Sequence, residues 1–164
     1  GYRLKEMLPL NMGEFETQIG KVEIINQGTD ITLITYGSCC RIALDAAKEL
    51  EKFNISIEII DIQSLIPFDI NHDISQSIEK TNRMIFMDED VPGGGTAYMM
   101  QQVLEIQDAY KYLDSKPITI TSKEHRPAYG DDGDYFSKSN IDDVIDTCYE
   151  LMNEANPTNF PTTS

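Results

Sequence analysis

The chain has 164 residues, the size of one domain that can bury its own core. Thirteen Lys and Arg against 28 Asp and Glu leave a net charge of −15, which argues against nucleic-acid or anionic-membrane binding and favours basic partners. No apolar run is long enough for a membrane span, and no signal-peptide pattern opens the chain.

Residues 1–20 have no clean period and read as a linker arm from a preceding domain absent here; the missing initiator Met suggests a start inside a longer protein. From there to residue 155, short apolar runs alternate with helical patterns, the signature of an α/β domain. Residues 21–27 predict a first strand, closed by the turn Gln27-Gly28-Thr29-Asp30. Residues 31–36, Ile-Thr-Leu-Ile-Thr-Tyr, are β-branched and apolar enough to be a central strand buried on both faces. Ser38 is placed to cap a helix whose stripe is Ile42, Ala43, Ala46, Ala47 and Leu50. Residues 56–62 predict the next strand, and Pro67-Phe68-Asp69 leads into a helix carrying Ile70, Ile74 and Ile78. A fourth strand spans 83–88. A long helix then runs to about Tyr110, with Ala97, Met100, Val103 and Leu104 as its core face. The fifth strand covers 117–122, and an acidic irregular stretch fills 123–138. Ser139 or Asn140 caps a last helix with Ile141, Val144, Ile145, Cys148, Leu151 and Met152 inward; residues 156–164 read as a flexible tail. Right-handed crossovers put helices on both faces of one sheet, so the fold expected is a three-layer α/β/α domain.

Such a sheet has a crevice where neighbouring strands send their loops to opposite faces, here the loops at Gly37-Ser38 and at residues 89–95. Gly93-Gly94-Gly95 before a helix resembles an anion cradle, and with Ser38 and Asp90 it forms a candidate ligand loop. It holds no Lys or Arg, and Asp88, Glu89 and Asp90 stand beside it, so a structural turn is the favoured reading. His125 and Arg126, just past the fifth strand, form a candidate functional loop in which Glu124 could orient the imidazole; a structural or interface role leads there. Asp131-Asp132-Gly133-Asp134 fails the calcium-loop spacing, and no zinc spacing or nucleophile elbow occurs. Cys39, Cys40 and Cys148 are too few for a disulfide scaffold, which points to reduced thiols in a cytoplasmic protein.

Taken in order, Gly28-Thr29-Asp30-Ile31-Thr32-Leu33-Ile34-Thr35-Tyr36-Gly37, Ile59-Ile60-Asp61-Ile62-Gln63-Ser64-Leu65-Ile66-Pro67-Phe68-Asp69, Lys80-Thr81-Asn82-Arg83, Asp88-Glu89-Asp90 and Tyr112-Leu113-Asp114 form a familiar set. It resembles the transketolase C-terminal domain in the β-subunit form of 2-oxo acid dehydrogenases, over about residues 20–152. The resemblance implies a five-stranded mixed sheet with the first strand antiparallel. It implies a parent enzyme that decarboxylates a 2-oxo acid, branched-chain favoured over pyruvate, on thiamine diphosphate with Mg²⁺, and acylates lipoyl-lysine. The cofactor would be held by domains absent here. Gly130-Asp131-Asp132-Gly133 is a near miss to the family's diphosphate motif, without the Asn-Asn pair, so the fragment alone is expected to bind neither cofactor nor metal and to be inactive. Its partners would be the preceding thiamine-binding domains, a second copy in homotypic pairing, and the basic subunit-binding domain of the acyltransferase core, with Asp114 at that docking surface. The alternative from a different class is a self-sufficient, flavodoxin-like small-ligand module using the crevice.

Overall fold

The first strand carries Ile24 and Ile25 between polar ends and folds back across the sheet edge, while the later apolar runs line up beside one another. In the computed structural model these become β1 (Glu23–Asn26), β2 (Ile31–Thr35), β3 (Ile57–Asp61), β4 (Met84–Met87) and β5 (Ile118–Ile120). The structure describes residues 16–123 and 138–161, together with Met7, Leu10, Gly13 and Glu14. One sheet forms in the order β1-β3-β2-β4-β5, with β1 antiparallel to β3 and every other pair parallel, as the resemblance implied.

Helices α1 (Cys39–Leu50) and α4 (Ile141–Ala155) cover one face; α2 (Asp73–Thr81) and α3 (Gly95–Gln101) cover the other. The period of two along β2 divides the core: Ile31 and Leu33 join Ala43, Leu50, Cys148 and Leu151, whereas Ile34 joins Ile74, Ile78, Met99 and Phe86. Each such isoleucine or leucine contributes about 1.5–3 kcal/mol by leaving water. Ala43, Ala46 and Ala47 let α1 lie close to the sheet, and Cys148 of α4 is a buried packing residue.

Polar groups fix where the elements stop. Asn54 and Asn82 take left-handed φ of 57° and 60° after α1 and α2, the role glycine has in many helix ends. Gly28 packs against the β3 backbone, where an added Cβ would lie 2.2 Å from the Ile57 carbonyl carbon. Beneath α2 the contact to the sheet is made by hydroxyls. Thr32 Oγ1 lies 2.6 Å from Ser77 Oγ and 2.7 Å from Thr81 Oγ1, all buried. Beside them Lys80 Nζ donates to the buried Glu58 carboxylate, which also accepts from Gly28 N at 3.3 Å.

Four details differ from the sequence reading. Ile70 precedes α2 and is 55% exposed, because the buried Asp69 carboxylate accepts from Asp73 N (3.0 Å) and Ile74 N (2.9 Å) and starts the helix there. The long helix ends early: α3 passes into a π turn, Gln102–Ile106, and Asp108 with φ 56° leads to a 3-10 turn, Ala109–Tyr112. Gln107 is drawn to α2 instead, its Nε2 donating to Asp69 Oδ2 (3.0 Å) and its Oε1 accepting from Ser75 N (3.2 Å). Thr96, Met99 and Val103 form the buried row of this segment, while Met100 and Leu104 flank it and Ala97 is exposed. Ser38 has helical backbone angles and caps nothing, its hydroxyl being engaged elsewhere. At α4, Asn140 is the cap and forms a reciprocal capping box with Asp143. Residues 156–161, expected in a flexible tail, make definite contacts: Phe160 stacks edge-on against Tyr149, whose hydroxyl donates to Pro161 O at 2.9 Å.

Candidate functional site

β2 and β4 are parallel neighbours at the centre of the sheet, and their exits lead to α1 on one face and α3 on the other. The crevice of the sequence reading therefore lies at their carboxyl ends. Thr35 Oγ1 ties the two strands by donating to Met87 O at 2.8 Å. One residue further, the Tyr36 hydroxyl donates to Asp88 Oδ2 at 2.9 Å, and Asp88 is 3% exposed. Burial first, and then the Asp88 carboxylate that its proton serves, push the Tyr36 phenol up to about 12. Burial and the negative charge of Glu89 push the Cys39 thiol up to about 11, which keeps it protonated and unreactive.

The loop after β4 turns back on itself. Asp90 N donates to Asp88 Oδ1 (3.3 Å), Val91 N to Asp90 Oδ1 (2.8 Å), and Gly94 N to Val91 O (3.2 Å). Ser38 Oγ reaches across to Glu89 Oε2 at 3.0 Å, and Ser139 Oγ and Ser122 N pin the main chain at Asp88 and Asp90. The three glycines then acquire a physical reason. A Cβ on Gly94 would sit 2.8 Å from Asp90 Oδ2, and one on Gly95 would sit 3.0 Å from Asp88 Oδ2 and 3.1 Å from the Tyr36 hydroxyl. Gly93 has φ +88°. The carboxylates of Asp88 and Asp90 thus occupy the side of the loop where an incoming anion would approach, and negative charge is already supplied to the start of α3.

Ser38, Asp90, Gly93, Gly94 and Gly95 are brought together, but as a closed, acidic junction. These residues do not fit a diphosphate: the loop carries no cation, and Gly94 and Gly95 face carboxylates of the chain itself. Among the described residues no group of three His, Cys, Asp or Glu is arranged to hold a metal ion, and no helix is long and apolar enough to cross a membrane.

Asp114 lies at the opposite, amino-terminal end of the sheet. It is exposed in the loop before β5, and its N–H donates to Asn82 O at 2.9 Å; Asn82 Nδ2 in turn donates to Tyr112 O at 2.9 Å. The Lys80-Thr81-Asn82-Arg83 and Tyr112-Leu113-Asp114 motifs are therefore one structural unit. His125 and Arg126 lie outside the described residues, as does Gly130-Asp131-Asp132-Gly133. Sequence reasoning missed the Tyr36–Asp88 pair and the Asp69–Gln107 pair. The polar Tyr36 and Asp88 at the ends of otherwise apolar strands were the available signal for the first; a partner 38 residues away gave none for the second.

A family profile described as transketolase, C-terminal domain, matches residues 20–139. A protein named pyruvate dehydrogenase E1 component subunit beta from Mesostigma viride is 30% identical over 151 residues, covering 92% of this chain and 45% of that protein. Its namesake from Rhizobium meliloti (strain 1021) is 30% identical over 143 residues, covering 85% and 31%. The one from Bacillus subtilis (strain 168) is 40% identical over 95 residues, covering 58% and 28%. The chain spans less than half the length of these curated relatives. A solved structure described as a split gene transketolase, inactive beta4 tetramer, has the same fold with a TM-score of 0.69 at 20% identity, covering 85% of this chain and 45% of that one.

Proposed function

The chain belongs to the transketolase C-terminal domain family, and from that premise we propose that it is the assembly and docking domain of a thiamine-dependent 2-oxo acid dehydrogenase component. The parent would decarboxylate a 2-oxo acid and transfer the acyl group to lipoyl-lysine in the cytoplasm, where three free thiols are at home. Thiamine diphosphate, with its Mg²⁺, would supply the carbanion chemistry from other domains. What carries this reading is the alignment to relatives named pyruvate dehydrogenase E1 component subunit beta over 92% of the chain. The crevice adds to it: its glycine loop is filled by Asp88 and Asp90 carboxylates, which also weakens the flavodoxin-like alternative.

In this role the domain pairs with a second copy, abuts the thiamine-binding domains, and docks the basic subunit-binding domain of the acyltransferase core. A net charge of −15 suits a basic partner, since opposite charge steers encounter and is screened by salt. Asp114, exposed and held by the Asn82 main chain, is the acidic residue proposed at that surface. The substrate reading that came from the sequence is a branched-chain 2-oxo acid; the names of the relatives favour pyruvate as a second reading. Decarboxylation of the two acids side by side by the assembled component separates them.

The docking test is Asp114→Lys in the full chain, measured by calorimetry against the subunit-binding domain at two salt concentrations. Affinity is expected to fall with the substitution and with salt, with folding unchanged; a salt-independent affinity refutes electrostatic docking. Titration of the same chain with thiamine diphosphate and Mg²⁺ is expected to give no heat, and submicromolar binding overturns the placement of the cofactor elsewhere.

A further inference from the structure

At the far edge of the sheet, a groove of about 310 Å³ separates β5 from α4. One wall is Thr119 and Thr121; the other is Asp143, Asp146 and Glu150. The spacing of those carboxylates puts them on one helix face, beside the buried stripe of Val144, Cys148 and Leu151. Asp146 and Glu150 are exposed and have no ion-pair or hydrogen-bond partner among the described residues. Lys123, just past β5, and Lys138, before α4, stand at one end of the groove.

Among the described residues β5 has a single neighbour, β4. Ile120 O accepts from Asp88 N at 3.0 Å, and in a parallel ladder alternate residues face the same neighbour. Ile118 and Ile120 therefore turn their main-chain groups to β4, and Thr119 and Thr121 turn theirs outward along the groove. Pro117 and Lys116 precede β5 and Lys123 follows it, so the outward-facing main chain open to strand addition is confined to Thr119 and Thr121.

We propose that the groove binds an extended peptide segment rich in Lys or Arg, which adds to β5 as a sixth strand. Its main chain pairs with Thr119 and Thr121, and its basic side chains, projecting on alternate residues, reach Asp146 and Glu150. The occupant is basic because the open wall is acidic and the chain as a whole carries −15. A second copy pairing edge to edge would set two acidic walls against each other. This inference is independent of the docking role assigned to Asp114, at the amino-terminal end of the sheet.

The test uses the full chain and a fluorescently labelled peptide of alternating Lys and Val, followed by anisotropy. Two controls accompany it: alternating Glu and Val, and the Lys-Val peptide N-methylated at alternate residues, which keeps the charge and removes the donors. The Lys-Val peptide is expected to bind, the Glu-Val peptide not, and N-methylation to weaken binding about fivefold for each hydrogen bond lost. Asp146→Asn with Glu150→Gln is expected to weaken binding several-fold and to flatten its salt dependence. Thr119→Pro removes an outward N–H without touching the β4 ladder, and lowers affinity while circular dichroism stays unchanged. Three results overturn the proposal: no binding, equal binding of the N-methylated peptide (charge without strand addition), or peptide-free dimerisation that Thr119→Pro abolishes (self-pairing).

Discussion

Lys80→Met probes an ion pair that reaches into the sheet. Glu58 is 1% exposed on a central strand, and the groups that satisfy its carboxylate are Lys80 Nζ and Gly28 N. Removing a partner from a fully buried pair costs about 3–5 kcal/mol, because the remaining charge is left without compensation. The Lys80 side chain is 41% exposed, so water already screens one end of the pair. The expected loss is accordingly lower, about 2–3 kcal/mol, or roughly a 4–12 °C fall in Tm for a chain of this size. Glu58→Gln keeps the shape and leaves Lys80 free to turn to water, so it should cost about 1 kcal/mol. The double variant should cost less than the two singles together, with a coupling of about 1–2 kcal/mol. Urea unfolding followed by circular dichroism measures all three, provided the m-values agree. Lys48→Met is the control: Lys48 is 73% exposed and pairs with Asp45 one turn away, and its loss should cost less than about 0.5 kcal/mol. If Lys80→Met costs no more than Lys48→Met, Glu58 does not depend on its partner and the reasoning is refuted.

Three further outcomes follow from the same geometry. Gly28→Ala should cost about 3 kcal/mol, because its Cβ would meet rigid β3 backbone at 2.2–2.6 Å; Gly37→Ala, with φ +61° and open space, should cost about 1 kcal/mol. Thermal melts that rank the two the other way contradict the packing account. The Tyr36 phenol and the Cys39, Cys40 and Cys148 thiols are all raised in the folded chain, from 10.0 or 9.0 to about 11–12. Their neutral forms therefore stabilise the fold fully below pH 9, and that contribution is lost as pH rises towards 12; a stability that stays flat from pH 8 to 11.5 in urea titrations rules this out. Asp69→Ala removes the acceptor of two α2 N–H groups and of Gln107, and should cost about 3 kcal/mol and speed hydrogen exchange first in α2. Asp69→Asn should retain part of that stability, and an equal loss from both variants argues against capping.

What could be read from the residues was whatever depends on local period. β4 is a continuous apolar run and β2 and β3 are largely apolar because both their faces are covered, and α1 and α4 carry apolar stripes that end at Leu50 and begin after Asn140. The misreadings have distant causes. Ile70 fits the i, i+4 spacing of Ile74 and Ile78, yet Asp69 captures the helix start and leaves Ile70 outside. Periodicity carried the long helix to Tyr110, whereas Gln107 leaves the helix to reach Ser75 and Asp69. At the crevice the loops themselves were legible, because strand order follows from chain order. That the carboxylates would turn inward on the glycines was not, since Gly94, Gly95 and their neighbours read equally as a cradle until the Asp88 and Asp90 side chains are located.

The hydroxyls of Thr32, Ser77 and Thr81 have a consequence for how α2 is seated. Two greasy surfaces in contact tolerate sliding, because any overlap of methyl groups is nearly as good as another. Two hydroxyls of the helix, each 2.6–2.7 Å from the Thr32 hydroxyl, do not, since a helix displaced by a turn, or rolled by one residue, would strand them in a dry interface. The seam works as a key in a slot: it adds little adhesive strength, but it admits a single alignment of α2 on the sheet, and with it one position for the Asn82 elbow that carries Asp114.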